Sequence, residues 1–166
     1  MDLLLRLEQS GFSVWVREST SLFAFPGILL LHTIGIGLVA GVNAGIDLRI
    51  LGLASGLPLA PMEKFLPVLW VGFWINAASG IVLLVADAAT KLVNADFYVK
   101  MLFIVLAVIN LRLLKTRVFS DPLLDKKPLS MNAKILAVTS LICWLGAITA
   151  GRLMAYVGAV TGLSQK

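Results

Sequence analysis

The chain has 166 residues, 59% of them hydrophobic and only 14% charged, with a mean hydropathy of +0.95. A domain this small cannot bury that much apolar surface in water, which excludes an ordinary soluble fold and makes the lipid bilayer the expected solvent. The net charge of +5 comes with no basic stripe interleaved with aromatics, so a nucleic-acid partner is excluded; the single cysteine, Cys143, excludes a disulfide or a cysteine-based metal framework within one chain and reads as core filling.

The opening stretch, MDLLLRLEQSGFSVWVREST, sets Leu3, Leu4, Leu7, Val14 and Trp15 among Asp2, Arg6, Glu8, Arg17 and Glu18. This pattern predicts an amphipathic helix over residues 1–20, lying in the membrane interface and broken near Gly11. It does not read as a cleaved signal peptide, because Asp2 precedes any lysine or arginine and Arg6 and Glu8 interrupt the apolar stretch. Ser19 or Thr20 is expected to cap the next helix, with Pro26 in or just after its first turn.

Four spanning helices are predicted, over about residues 22–46, 65–86, 97–114 and 135–160, the last apolar run reaching to about Leu163. The first contains no acidic or basic residue apart from His32 and exceeds the roughly 30 Å hydrocarbon core. Lys100 and Arg112 lie near the ends of the third, and Arg152 interrupts the fourth. The fold expected is therefore all-α: an integral-membrane four-helix bundle forming a single domain over 1–166, since backbone in lipid must satisfy its own hydrogen bonds.

Between the first two spans, DLRILGLASGLPLAPMEK carries Gly52, Gly56, Pro58 and Pro61 and predicts a short helical turn within an irregular loop. Asp47 and Arg49 are expected to pair there. The loop between the third and fourth spans is the most basic part of the chain: Arg112, Lys115, Arg117, Lys126, Lys127 and Lys134 face only Asp121 and Asp125. By the positive-inside rule this loop is cytoplasmic and both termini are outside, as in a multi-pass protein of the bacterial inner membrane.

His32 is the only histidine, about 15 Å along the first span at 1.5 Å per residue. A polar group at that depth needs a partner. At about 100° per residue, Gly35 and Asn43 share its face, whereas Gly37, Gly41 and Gly45 form a separate small-residue stripe suited to helix packing. The second span puts Gly72, Asn76, Ser79, Gly80 and Asp87 on one face. The fourth sets Arg152 beside Gly146, Ala147, Ala150 and Gly151. Antiparallel topology then brings His32, Ser79, Lys100 and Arg152 into the outer half of the bundle.

A mid-membrane imidazole, nearby glycine and cations toward one surface suit a b-type haem: histidine ligates iron, glycine admits the flat macrocycle, and Arg152, with Arg17 or Lys100, pairs with the propionates. His32 is then the metal ligand and Gly35, Asn76 and Ser79 shape the pocket. With no second histidine, Lys100, Met101, Met154 or a neighbouring subunit completes the iron, or it stays five-coordinate. The plainer alternative is a histidine hydrogen-bonded to Asn76 or Ser79 across the bundle. Paired-carboxylate acid–base chemistry has little support, because Asp87 and Asp96 read as interfacial.

The segments FPGILLLHTIGIGLVAG, DLRILGL, NAASGIVLLVADA, NADFYVKMLFIVLAVIN and AGRLMAY, within residues 15 to 160, resemble a family of short bacterial inner-membrane proteins with four spanning helices. More distantly, a first-helix histidine, an arginine after that helix and a lysine at the start of the third are similar to the copper-resistance D domain and to the haem-binding protoporphyrinogen oxidase of bacteria. That resemblance implies that His32 and Lys100 match positions used around a haem. It does not carry the activity across, because the further histidines of that group are absent here.

The function expected is membrane redox or electron transfer through haem b, with quinone or other respiratory subunits as partners. Two rivals stand beside it: a non-enzymatic accessory or scaffold protein that forms a homo-oligomer through the glycine stripe, and a transporter of a small solute or metal.

Overall fold

A computed structural model describes residues 6–160 of the chain, with side chains described to Met154. Among the described residues the protein is all-helical, with four helices long and apolar enough to cross a membrane. Residues 1–5 of the expected amphipathic stretch lie outside the described residues.

Helix α1 (Gly11–Glu18) starts where Ser10 accepts a hydrogen bond from the Ser13 amide at 3.3 Å. The expected break thus falls at Gln9 and Ser10, one residue before Gly11. Ser19 closes α1 instead of capping the next helix, its amide returning to the Trp15 carbonyl. Helix α2 (Phe25–Ile50) begins after Ala24 with no side-chain cap, and Pro26 fills the first turn, where a missing N–H costs nothing.

Helix α2 runs four residues past Ile46 and carries Asp47 and Arg49 in its last turn. It stops at Gly52, whose φ of +106° only glycine adopts freely. There the Gly52 amide bonds the Arg49 carbonyl at 3.1 Å and the Leu53 amide bonds Leu48 at 2.9 Å, the paired bonds of a Schellman ending. A short 3-10 turn (Ala60–Phe65) leads into α3 (Leu66–Ala86), as the loop composition predicts. One turn, α4 (Ala88–Lys91), precedes α5 (Ala95–Leu114), which continues through a wider π turn at Lys115–Phe119. Helix α6 (Met131–Val160) completes the bundle.

Helices α2 and α3 pack as one antiparallel pair, α5 and α6 as another, and α2 against α6 joins the pairs. The α2–α3 seam is made by Gly35 and Gly72, not by the glycine stripe. A Cβ on Gly35 would stand 2.7 Å from the Asn76 amide nitrogen, and one on Gly72 would stand 2.6 Å from Leu38 Cβ. Gly37, Gly41 and Gly45 face open space, because they lie across the helix from that seam. The core runs through Val39, Ile46, Leu69, Leu111, Cys143 and Trp144. Large apolar side chains such as Leu30, Val71, Trp74, Leu102, Val105 and Ile142 are left on the outside, where lipid would cover them.

The two ends of the bundle are tied differently. At the end where α2 begins, the last carbonyls of α3 have no intrahelical donors. Arg17 Nη1 donates to Ala86 O at 2.7 Å and Lys91 Nζ donates to Leu83 O at 2.7 Å, while Ser13 Oγ, whose proton goes to Leu7 O at 2.8 Å, lies 3.3 Å from Val85 O. Both donors are cations at a helix C-terminus, where the backbone dipole favours positive charge. At the loop end, Asp125 accepts from the Leu59 amide at 2.6 Å and the Ala60 amide at 2.9 Å, clasping one inter-helix loop to the other.

Candidate functional site

The α2–α3 seam determines where His32 goes. One turn before Gly35, its ring lies over Gly80, where a Cβ would stand 3.1 Å from His32 Cε1. Close backbone approach then sets His32 Nδ1 3.1 Å from the Asn76 carbonyl oxygen and 3.1 Å from Ser79 Oγ. In return Asn76 Nδ2 donates to the His32 carbonyl at 2.9 Å.

The shorter contacts favour the tautomer with the proton on Nδ1: a carbonyl oxygen only accepts, so Nδ1 donates to it, while Asn76 Nδ2, 3.4 Å from the same ring nitrogen, makes its shorter bond to the His32 carbonyl. Ser79 spends its own proton on the Ile75 carbonyl at 2.6 Å, which leaves the hydroxyl oxygen as a second acceptor. His32 is half-buried, and Nε2 bonds no described residue. An imidazole held through Nδ1–H by a backbone carbonyl, with a lone pair free on Nε2, is the arrangement in which histidine binds a metal.

Cations gather on the same level. Lys100 runs along α6 at Gly151, where a Cβ would stand 3.5 Å from its Cδ, and it makes no ion pair or hydrogen bond with a described residue. Lys91 lies beyond the spans; burial pushes its ammonium down, and Asp87, whose Oδ2 is 3.9 Å from Nζ, pulls it back up. Arg152 follows Gly151 on α6 and is exposed.

The expected residues therefore separate. His32, Asn76 and Ser79 form one hydrogen-bonded unit, whereas Lys100 lies against Gly151 on α6 and the exposed Arg152 makes no hydrogen bond to the unit. Gly35 serves the helix seam against Asn76 rather than a flat ligand face. Arg17 is held at the end of α3 by Ala86 O and by Glu8, 3.2 Å away.

A second polar group went unread as a unit in the sequence. Asp47 does not pair with Arg49, whose guanidinium turns to the Ser55 and Leu57 carbonyls. Asp47 points inward, fully buried, and its Oδ2 accepts from Asn43 Nδ2 at 2.6 Å. The same amide also bonds Ser140 Oγ on α6. The available signal was the four-residue spacing of Asn43 and Asp47, which stacks them on one helical face.

Among the described residues no three His, Cys, Asp or Glu side chains converge on a point. Two open cavities, of about 310 and 210 Å³, lie at the loop end around Leu124, Lys127 and Pro128, away from His32. Neither a family model, a curated protein nor a solved structure matches this chain.

Proposed function

We propose that the protein binds one b-type haem through His32 Nε2 and serves membrane redox, passing electrons between quinol and a partner or acting as a small subunit of a larger oxidoreductase. The observation that carries this reading is the Nδ1–H contact to the Asn76 carbonyl, which leaves Nε2 with no described partner. The donor chemistry of His32 suits the group. His32 would hold the iron, Lys100 and Arg152 would face the propionates, and Ser79 and the Asn76 carbonyl would keep the imidazole oriented. Bound there, haem would supply one-electron chemistry.

The chain's own part is to hold. The hydrogen bond from Nδ1 raises the electron density of the ring and fixes its plane. Lys91 and Lys100 favour negative charge on whatever lies beside His32. The resemblance to the copper-resistance D domain and the haem-binding oxidase of bacteria supports the same reading. So does the basic loop, which would place this end of the bundle outside the bacterial inner membrane, with the α1 region in the interface.

The test is an absorption spectrum of detergent-purified protein from haem-replete cells. A Soret band with reducible α and β peaks, lost in His32→Ala, is expected. A colourless wild-type preparation would overturn the proposal.

One observation favours a second reading. Gly37, Gly41 and Gly45 are exposed and a Cβ at any of them meets nothing within 4 Å, so the stripe is free to pack on another copy. In that reading the chain is an accessory protein that self-associates. Gly41→Leu would then convert an oligomer to a monomer in light scattering; an unchanged mass would reject it.

A further inference from the structure

Asp47 sets a physical problem that the haem reading does not touch. It is a carboxylic acid with 0% of its surface exposed, in the last turn of α2, and it ion-pairs with none of the described cations. Its one hydrogen bond is the Asn43 amide on Oδ2; Oδ1 has no partner. An ionised carboxylate left so in apolar surroundings is costly by several kcal/mol. The carboxyl must therefore either hold a proton or meet a positive charge.

The neighbours bear on which. Asp47 Oδ2 from α2 and Ser140 Oγ from α6 converge on one point, the Asn43 Nδ2 that bonds both. Among the described residues, the unpaired Asn110 Oδ1 is an acceptor at the same level, whereas the unpaired Trp144 Nε1, one turn along α6 from Ser140, is a donor and no cation ligand. Asn110 is placed there by the antiparallel register that sets Phe103 against Gly146 and Lys100 against Gly151. Unsatisfied polar atoms are rare in buried protein, and here they concentrate at one depth.

We propose that Asp47, Asn43 and Ser140 bind a small monovalent metal cation, and that sodium is the ion their chemistry fits. The donors are hard oxygens with no sulfur or imidazole, which select an alkali or alkaline-earth ion over a transition metal. One carboxylate balances one positive charge. A divalent ion would leave net charge buried, and calcium takes six to eight oxygens where this site offers few. A proton would neutralise the carboxylate equally, and the infrared arm of the test below separates the two. Rotation of the Asn43 amide turns its own oxygen toward the ion, in place of the nitrogen that now spans Asp47 and Ser140. The ion then links α2 to α6 and tightens the contact that joins the two helix pairs.

The inference is independent of haem, and its test needs none. Detergent-purified full-length protein is melted in increasing NaCl against choline chloride at matched ionic strength. A saturable rise in Tm with sodium and not with choline is expected. Asp47→Asn, which keeps the shape, should lose that rise, and Ser140→Ala should shift its midpoint to several-fold higher sodium. Equal responses to the two salts would overturn the proposal. So would an infrared carbonyl band of a protonated carboxyl in saturating NaCl that Asp47→Asn removes. If Asp47→Asn fails to fold, the Ser140→Ala midpoint decides, and an unshifted midpoint counts against the site.

Discussion

His32 Nδ1 and the Asn76 main-chain carbonyl face each other at 3.1 Å across two helices. Because the acceptor is backbone, no side-chain substitution at position 76 deletes it. Ser79 is the removable acceptor. Ser79→Ala should keep haem binding while weakening retention by roughly tenfold, the lower end for loss of a partner to a metal-binding histidine. Haem titration followed by absorbance checks this, and retention equal to wild type would show that the Ser79 contact is idle.

The glycines of α2 divide into two sets with opposite expected behaviour. Gly35→Ala and Gly72→Ala each force a Cβ into backbone or a Cβ closer than 3 Å, and overpacking of this kind costs about 1–3 kcal/mol. Gly37→Ala and Gly45→Ala meet open space and should leave monomer stability unchanged or raised. Unfolding in mixed micelles separates the two sets.

Arg17 closes the end of α3 by donating to Ala86 O at 2.7 Å. Arg17→Ala should cost about 1 kcal/mol, as expected for a partly exposed bond to a charged group. The loss should be local. Amide exchange should quicken at residues 86–91 and in α1, with the α2–α3 seam unaffected.

Asp125 clasps the loops only while ionised. The Leu59 amide, and then the Ala60 amide, hold its carboxyl below the ordinary aspartate range. A folded value depressed in this way stabilises the clasp above the unfolded pKa of about 4 and loses it as the pH falls through the folded value. Exchange of the Leu59 amide should therefore stay protected at neutral pH, even after correction for intrinsic rates, and open in acid below that range. Asp125→Ala should leave it open throughout.

The four spans, the Pro26 start and the helical turn after Pro58 were all legible, because apolar length and proline or glycine punctuation are local signals. The His32, Asn76 and Ser79 grouping was legible from helical spacing and antiparallel order. What escaped were the partners chosen by tertiary contact. Arg49 reaches loop carbonyls, so Asp47 turns to Asn43 instead, and no local pattern reports that competition. The seam within the chain escaped for a related reason: three glycines at four-residue spacing look like an interface, yet Gly35 and Gly72 make the close contact between α2 and α3. Arg17 was read with Lys100 as a cation that could face a ligand; the Ala86 carbonyl at the end of α3 claimed it first.

Gly35 and Gly72 bring two backbones together, with the Gly35 carbonyl oxygen 3.1 Å from where a Gly72 Cβ would stand. Such a crossing acts as a pivot. His32 and Asn76 each sit within about one turn of it, so when the far ends of α2 and α3 splay, the separation between them changes least. A ligand nitrogen placed there is insulated from the flexing of the rest of the protein, as a hinge pin stays still while the door swings.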